Sequence, residues 1–297
     1  MSTSKARVRS IFAVTGALAA CLAYGQQANP FLPPPALTPE LQARVKEAAA
    51  KPTPHLADGT IDLGGYWQLP NSHAGIFGPP QPPGPGNTIN VFPPGATVVN
   101  VNASDKAHAD ERRANTALRP KYKPAYAAKA NENFDRGDLA DPTYGCQLPG
   151  VVRLGVPSEI FQRSGSIALM YSGLVNRYRV VPVDGTKPEK NPEPIPMGHP
   201  VGHWEGSTLV IETNGFVPDN WLDHDGSYNS GDLKLTEKLT RQGNILKYEM
   251  VAEDPIFAEP FKAMSTTLIL GPSGKHIDDE YGCDERDITH MVNGAKH

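Results

Sequence analysis

Short apolar runs at strand spacing fill the second half of the chain. Seven segments combine strand length with β-favouring residues: 166–172, 175–183, 207–213, 232–241, 245–252, 266–271 and 276–283. Turn dipeptides such as Asp184-Gly185 and Gln242-Gly243 separate these segments, with no helical pattern between them. Alternation over residues 61–68 predicts one further strand. The pattern is typical of an antiparallel meander.

About eight strands are therefore available, enough for a closed sheet. Closing an antiparallel sheet into a barrel removes the exposed edges that would otherwise pair with other chains. A barrel of this size has an interior that is filled by side chains or that holds one small ligand. We predict an all-β fold with minor α content, an up-and-down barrel, as a single domain over residues 58–297.

Two segments outside this pattern have a different character. Residues 26–57 form a lead-in, in which Thr38 and Pro39 predict the start of a helix that runs to about Ala50. Residues 70–145 form a long excursion, because prolines crowd 79–94 and helical stretches over 105–137 are interrupted by Pro120 and Pro124. Loops of this length are either functional lids or disordered segments.

Composition narrows the possible classes of protein. The chain of 297 residues holds 28 glycines and 30 prolines, about a fifth of its length, which argues against a helical bundle, a coiled coil or a polytopic membrane protein. A formal net charge of −4 gives no electrostatic reason to bind nucleic acid. We expect a turn-rich, β-rich protein without a nucleic-acid partner.

The first 25 residues predict export. Basic residues at 5, 7 and 9 precede an apolar run over 11–23, the layout of a secretory signal peptide. Leu18 to Cys21 resembles a lipobox, which would leave Cys21 lipidated, whereas Ala23-Tyr24-Gly25 suits ordinary cleavage. We predict an exported protein, periplasmic or an outer-membrane lipoprotein, that contacts a membrane only through a lipid at Cys21.

Two cysteines remain after the signal segment, Cys146 and Cys283. Outside the cytoplasm a pair of thiols usually oxidises, so we predict a disulfide between them. The alternative is a thiolate nucleophile or a metal pair. It is disfavoured because neither cysteine belongs to a C-x-x-C motif or adjoins a histidine.

The clearest chemical signal is Glu237. It shares the apolar face of segment 232–241 with Leu233, Leu235 and Leu239, and should therefore point into the barrel. A buried carboxylate either takes a cationic partner or keeps its proton. The face of 175–183 that carries two arginines, Arg177 and Arg179, offers such a partner.

Glu237 has two interpretations of similar weight, apart from a misread register. It forms a structural buried salt bridge, or it acts as a general acid or base in a ligand cavity.

A second candidate group is His199, His203 and Glu205. Proline and glycine exclude a helix here, and in an extended chain the two imidazoles lie about 13 Å apart, too far to share one ion. We therefore expect no metal site, and a loop histidine that hydrogen-bonds near the barrel mouth. His199 is a candidate proton carrier.

A third candidate group, Trp221 with Asp223, His224 and Asp225, lies in a turn that contains Gly226. The first aspartates fit the start of a calcium loop, but the remaining ligand spacing is missing, so a hairpin connection is favoured. Trp221, Tyr171 and Trp67 are candidates for an aromatic wall against a planar ligand, or for plain core. The chain has no G-x-S-x-G, no phosphate loop and no dinucleotide fingerprint, so we predict no cofactor.

Several phrases resemble a family of exported bacterial proteins without an assigned activity. They are Asp62–Trp67, Cys146–Arg153, Pro157–Ile160, Gly198–Thr213, Trp221–Asp223, Glu237 and residues 280–285. The resemblance implies a lipocalin-like barrel. Members of that family often carry a histidine where this chain has Asn229, which weakens any proposal that needs an imidazole there.

The function predicted from these residues is that of an exported enzyme. It binds a small, partly apolar or aromatic molecule in a barrel cavity and converts it by acid–base chemistry of the lyase, isomerase or hydration type. Glu237 moves a proton, Arg177 or Arg179 holds an anionic group, and His199 or Asp223 assists. The alternatives are a non-catalytic carrier and a structural role in the cell envelope.

Overall fold

The computed structural model describes residues 38–70, 119–137, 140–172 and 177–277. The predicted signal segment, Cys21, the proline-dense segment 79–94 and Cys283 lie outside these residues. Within them no helix is long and apolar enough to cross a membrane.

In the described part of the chain, nine antiparallel strands form one nearly closed barrel. Their bounds are β1 Gly65–Gln68, β2 Glu159–Arg163, β3 Ser166–Tyr171, β4 Arg177–Pro182, β5 His199–Glu205, β6 Thr208–Asn214, β7 Lys234–Gln242, β8 Ile245–Glu253 and β9 Phe261–Leu270. The hydrogen-bonded order is β4-β3-β2-β1-β9-β8-β7-β6-β5. The predicted all-β barrel with minor α content is therefore confirmed.

The inside of the barrel is set by alternation along the strands. In β7 the buried side chains are Leu235, Glu237, Leu239 and Arg241, while the intervening residues face water or are half-buried. Because the side-chain period of a strand is two, this register buries every second residue. The face predicted for Glu237 is confirmed.

Among the described strands the barrel has one seam, between β4 and β5, where the ends of the sheet order meet. Side chains close this seam: a Cβ built on Gly202 of β5 would lie 2.9 Å from Cγ1 of both Val181 and Val183. Real Cβ contacts of that length essentially never occur, so at this separation of the two strands only glycine fits position 202 without a shift of the valine side chains or the strands.

Three α-helices of the described residues accompany the barrel: α1 Pro39–Ala49, α2 Pro124–Arg136 and α3 Val151–Leu154. Helix α1 begins as predicted, since the Thr38 hydroxyl accepts the N–H of Leu41 at 3.3 Å. Its C-terminal end lies against the β7–β8 turn, where Asn244 N–H donates to the carbonyl of Ala48.

Some strand boundaries were predicted incorrectly. Strands β2 and β5 were not predicted, because β2 is short and polar and β5 contains Pro200 and Gly202. An edge strand tolerates proline, since its outer N–H groups need no partner. The strand predicted over 276–283 is wrong at His276 and Ile277, which are not in a strand, and its remainder lies outside the described residues.

Candidate functional site

Glu237 lies inside the barrel with 0% of its surface exposed. Its carboxylate accepts hydrogen bonds from the Arg179 guanidinium, through Nη2 to both oxygens, and from the hydroxyl of Tyr248. Of the two outcomes open to a buried carboxylate, Glu237 takes the cationic partner.

Arg179 is also fully engaged. Its Nε donates to the Tyr171 hydroxyl at 2.9 Å and its Nη1 donates to Oγ1 of Thr213 at 3.3 Å. We call Glu237, Arg179, Tyr171, Tyr248 and Thr213 the seam cluster. All five residues are buried, and each contributes at least one hydrogen bond to the cluster.

The seam cluster joins the two ends of the sheet. Arg179 and Tyr171 lie on β4 and β3, on one side of the seam, whereas Thr213, Glu237 and Tyr248 lie on β6, β7 and β8 on the other. The bonds of Arg179 to Glu237 and Thr213 therefore cross the interior where no backbone ladder connects β4 to β5. This arrangement closes the barrel.

Burial and charge act together on these groups. Burial opposes the charge of Arg179, but the Glu237 carboxylate outweighs it and raises the pKa of Arg179. Burial, reinforced by the Glu237 charge, raises the pKa of Tyr248 well above its usual value. Both tyrosine hydroxyls in the cluster stay protonated at neutral pH, since the pKa of Tyr171 is also raised by burial.

The interior around Glu237 is filled by side chains. Tyr171, Tyr248 and the neighbouring Leu239 are 0% exposed, and Leu235 is 1% exposed. A cleft of about 250 Å³ and a smaller cavity of about 10 Å³ occur among the described residues, and Glu237 lines neither. Of the two interiors that a barrel of this size allows, the side-chain-filled one is present here.

A second polar cluster surrounds His224 in the loop between β6 and β7. Asp141, just before a short 3-10 helix, receives two parallel hydrogen bonds from Arg153 of α3, Nη1 to Oδ1 at 2.8 Å and Nη2 to Oδ2 at 2.6 Å. The same Nη2 lies 3.0 Å from Nδ1 of His224. Asp141 and Arg153 are buried, whereas His224 retains an exposed surface.

The environment of His224 disfavours a positive charge on its ring. Desolvation by the surrounding protein is the larger cause and the charge of Arg153 the second, and together they lower the pKa of His224 to about 4. Asp141, Asp223 and Asp225 act in the opposite direction. The imidazole is therefore neutral at neutral pH.

Asp223 shapes the loop that presents His224. Its Oδ1 accepts the N–H groups of Asp225 (2.8 Å) and Ser227 (2.9 Å), and its Oδ2 lies 3.8 Å from Nε of Arg119. Arg119 also donates to the carbonyl of Asp225 at 2.5 Å. We call Asp141, Arg153, His224, Asp223 and Arg119, together with Asp225, the His224 cluster.

Trp221, predicted to bind ligand, precedes this loop and is 3% exposed. It lines the cavity of about 10 Å³ together with Arg153, Asn220 and Asn229. The Oδ1 atom of Asn220 is buried without a hydrogen-bond partner. Asn229 is occupied, since its Nδ2 donates to the carbonyls of Val217 (3.0 Å) and Ser230 (2.6 Å).

The remaining predicted residues lie elsewhere. The Trp67 indole donates to the carbonyl of Leu63 at 2.9 Å, and the Arg241 guanidinium lies 5.1 Å from its ring centroid. His199 hydrogen-bonds through Nε2 to the carbonyl of Glu193 at 2.7 Å. Arg177 is half-buried on β4, and its Nε has no hydrogen-bond partner. No hydrogen bond between described residues joins His199 or Asp223 to Glu237.

The structure describes only one of the two cysteines of the predicted disulfide, Cys146. Cys146 is disulfide-bonded, and the partner cysteine lies outside the described residues. The pairing with Cys283 therefore stays a prediction. Among the described residues no group of three or more His, Cys, Asp or Glu side chains could hold a metal ion.

Five partners of these clusters were not singled out from the sequence: Tyr248, Thr213, Asp141, Arg153 and Arg119. Tyr248 could have been identified from the sequence, because it alternates with Leu246 and Met250 on the inward face of β8. Asp141 and Arg119 were not, since they lie in the irregular excursion, where no period fixes a side chain's direction.

Comparison with known proteins gives no match to any family model, curated protein or solved structure. The family resemblance of the sequence therefore stays an expectation.

Proposed function

We propose that the protein is an exported enzyme that converts a small, partly apolar organic molecule by acid–base chemistry, with its reacting site at the His224 cluster. This proposal keeps the reaction class that the sequence suggested, but it moves the chemistry from Glu237 to the loop between β6 and β7. Asp223 and Trp221, both predicted as site residues, belong to this region.

The observation that carries the proposal is the setting of His224. An imidazole with an exposed surface is held by a buried arginine, which in turn is fixed by a bidentate buried carboxylate. Side chains that support a reacting group are typically locked in this way by packing and a further shell of hydrogen bonds. A histidine kept neutral is suited to polarising a substrate oxygen during proton transfer.

The environment of Glu237 argues against a reaction at that residue, because its carboxylate already accepts hydrogen bonds from Arg179 and Tyr248. A general base must reach a proton on the substrate within about 3 Å, and Glu237 has no exposed surface and lines neither cavity. Proton transfer at Glu237 would require Arg179 and Tyr248 to release it first.

The test is turnover of a library of small carbonyl and aromatic compounds, followed by mass spectrometry, in wild type and in His224→Gln. We expect a compound whose mass or retention changes with wild type and whose conversion falls at least 100-fold in His224→Gln, while the melting temperature changes little. His203→Gln, an exposed histidine on β5, is the matched control and keeps full turnover. Equal turnover in His224→Gln and wild type would contradict the assignment.

A second candidate is a non-catalytic carrier of the same kind of ligand. The specific observation in its favour is that Glu237, Asp141 and Asp223 are each paired with an arginine, which suits a binding site better than a proton donor. The same library decides: thermal stabilisation by a compound that stays chemically unchanged supports the carrier.

Export itself is proposed on the N-terminal sequence. Fractionation of the native host, with intact mass measurement of the mature chain, distinguishes a lipid at Cys21 from cleavage near Gly25. A chain that retains its first 25 residues in the cytoplasm would contradict export.

A further inference from the structure

We propose that the cleft of about 250 Å³ between α2 and the chain segment 119–122 binds a small organic carboxylate. Two cationic side chains hold the carboxylate group, and the apolar part of the cleft receives the rest of the molecule. Binding here goes beyond the proposed function, because it holds whether or not the protein converts a compound. We call this site the α2 cleft, and its walls include Arg119, Pro120, Lys121, Tyr122, Ala127 and Ala130.

The wall formed by residues 119–122 is fixed against the rest of the protein. Tyr122 forms an isolated β-bridge with Phe257. Its hydroxyl donates to the carbonyl of Tyr228 at 2.7 Å and accepts the N–H of Tyr228 at 2.6 Å, and the two rings stack with their centroids 5.1 Å apart. A wall held by these contacts is ordered before a ligand arrives, so binding loses little free energy in ordering it.

The opposite wall is a face of α2 with small side chains. Ala127 and Ala130 are three residues apart and therefore lie on the same side of the helix. Their methyl groups leave room that longer side chains would occupy, and with Pro120 they form the apolar part of the cleft. Its volume lies just below the range of about 300–1,000 Å³ for drug-sized ligands, so the cleft suits a smaller molecule of the size of benzoate.

Arg119 offers a hydrogen-bond donor to this space. Its Nε donates to Oγ of Ser227 at 3.3 Å and its Nη2 donates to the carbonyl of Asp225 at 2.5 Å, which fixes the guanidinium. Its Nη1 donates to no described residue, and this nitrogen is not one of the buried polar atoms that lack a partner. It is therefore accessible on a side chain that lines the cleft. Because an arginine nitrogen only donates, its complement on a ligand is an oxygen acceptor.

Lys121 supplies a second cation. Its Nζ lies 2.7 Å from Oε1 of Glu259, and the two side chains are 58% and 57% exposed. An ion pair this exposed contributes little, so the ammonium group can exchange Glu259 for the carboxylate of a ligand. The ammonium group, like the guanidinium, has donors and no acceptor.

The lining favours a carboxylate over a neutral carbonyl. Each cation has an acidic neighbour, Asp223 at 3.8 Å from Nε of Arg119 and Glu259 beside Lys121, but no described carboxylate lines the cleft. These neighbours reduce the field of the two cations without blocking direct contact. Hydrogen bonds from arginine or lysine to a carboxylate are about twice as strong as those between neutral groups. The apolar wall selects an organic acid over an inorganic anion.

The first test is a ¹H–¹⁵N titration of the ¹⁵N-labelled full chain with benzoate, with benzamide as the neutral probe of the same shape and phosphate as the inorganic anion. We expect saturable shifts of the α2 backbone amides with benzoate, and binding weaker by about fivefold or more for both other probes. No saturable shift with benzoate, or an affinity for benzamide or phosphate equal to that for benzoate, would overturn the inference.

A filled cleft tests the location. Ala127→Leu places a larger side chain in the cleft, and we expect benzoate to bind about tenfold more weakly or worse. Ala128→Leu is the matched control, because this neighbour on α2 is exposed and does not line the cleft, and it should bind benzoate as the wild type does. Unchanged affinity in Ala127→Leu would place the ligand elsewhere and overturn the inference.

Charge-removing variants test the two cations. We expect Arg119→Gln and Lys121→Gln each to weaken benzoate binding by about fivefold, whereas Arg136→Gln, an exposed arginine at the end of α2, leaves it unchanged. Equal affinity in all three variants would contradict the role of the cations. Should Arg119→Gln fail to fold, Lys121→Gln and Ala127→Leu still decide.

These measurements are separate from turnover. Benzoate binding at the α2 cleft in a protein that converts no compound contradicts the proposed enzyme and supports this inference. Turnover that depends on His224 in a protein that does not bind benzoate contradicts this inference alone.

Discussion

Arg179 on β4 and Glu237 on β7 form an ion pair inside the barrel, with side-chain exposures of 3% and 0%. The two strands stand on opposite sides of the one seam in the sheet. The pair therefore connects segments that no backbone hydrogen bond joins, and Tyr171, Tyr248 and Thr213 satisfy its remaining polar atoms. A buried charge pair this completely bonded serves the closure of the barrel.

Removing the charge of Glu237 should destabilise the fold. In Glu237→Gln the Arg179 guanidinium stays buried without a counter-charge, and breaking a buried pair in this way costs about 3–5 kcal/mol. Urea unfolding measures the change. Glu249→Gln, an exposed glutamate on neighbouring β8, is the matched control and should change the free energy of unfolding by less than about 0.5 kcal/mol.

Replacing both charges should recover part of that loss, because the buried hydroxyls of Tyr171 and Tyr248 then lose their charged partners. A double variant, Arg179→Met with Glu237→Leu, removes the desolvation cost together with the attraction, and such replacements are often neutral or stabilising. If the double variant is as unstable as Glu237→Gln, the ion pair contributes more than charge balance. If Glu237→Gln is as stable as wild type, the pair does not close the barrel.

The close approach of β4 and β5 at the seam leads to a separate prediction for Gly202. In Gly202→Ala the new methyl group meets Cγ1 of Val181 and Val183 at 2.9 Å, so the valine side chains or the two strands must shift. Overpacking of this kind costs about 1–3 kcal/mol, read from the urea midpoint. Gly231→Ala is the control, because nothing lies within 4 Å of a Cβ built there. Equal stability of the two variants would contradict the tight seam.

The environment of His224 predicts how stability depends on pH. Its pKa falls from 6.5 to about 4 on folding, so between these values the unfolded chain binds a proton that the folded chain does not. The free energy of unfolding therefore decreases as pH falls from 6.5 to 4. The His224→Gln variant lacks this contribution, and the difference between the two stability curves isolates it. A difference curve that is flat across this window would contradict the lowered pKa.

The cavity beside Trp221 should hold one ordered water. Its volume of about 10 Å³ is close to the space that a single water requires, and the unpartnered Oδ1 of Asn220 offers an acceptor. The lining includes the first turn of α3, where N–H groups lack partners inside the helix. A crystal structure at high resolution should show a water about 2.8 Å from Asn220 Oδ1.

Asn220→Leu provides the check on that water. The apolar side chain removes both the acceptor and the space, so the density should disappear, with a change in stability of about 1 kcal/mol or less. A dry cavity in the wild-type protein would contradict the prediction.

The local sequence pattern predicted correctly which face of β7 is buried, but it did not predict the candidate site. The alternation of Leu235, Glu237 and Leu239 fixed which way Glu237 points, because burial follows a period of two in a strand. The partner on the β4 face was predicted for the same reason. What that alternation does not encode is the distance across a barrel, so the closure by Tyr248 and Thr213 was not predicted.

The His224 cluster could not be predicted from the periodicity of the sequence. Its members come from the excursion (Arg119, Asp141), the short helix α3 (Arg153) and an irregular loop (Asp223, His224). Long-range contacts between irregular segments depend on the tertiary fold, and no spacing rule brings Asp141 to Arg153 or Arg153 to His224. Strand β5 was not predicted because it contains Pro200 and Gly202, and proline and glycine are rare inside strands.

The central claim is that ligand chemistry belongs to the His224 cluster and that the barrel interior is structural. The three tryptophans are natural reporters: Trp221 lines the cavity beside Arg153, whereas Trp67 lies in the core. A ¹H–¹⁵N titration of the full chain with acetophenone, a small aromatic carbonyl compound of the kind proposed as substrate, tests the claim most directly. The account predicts a saturable shift of the Trp221 indole with Trp67 unmoved. A shift at Trp67 with Trp221 unmoved would contradict it.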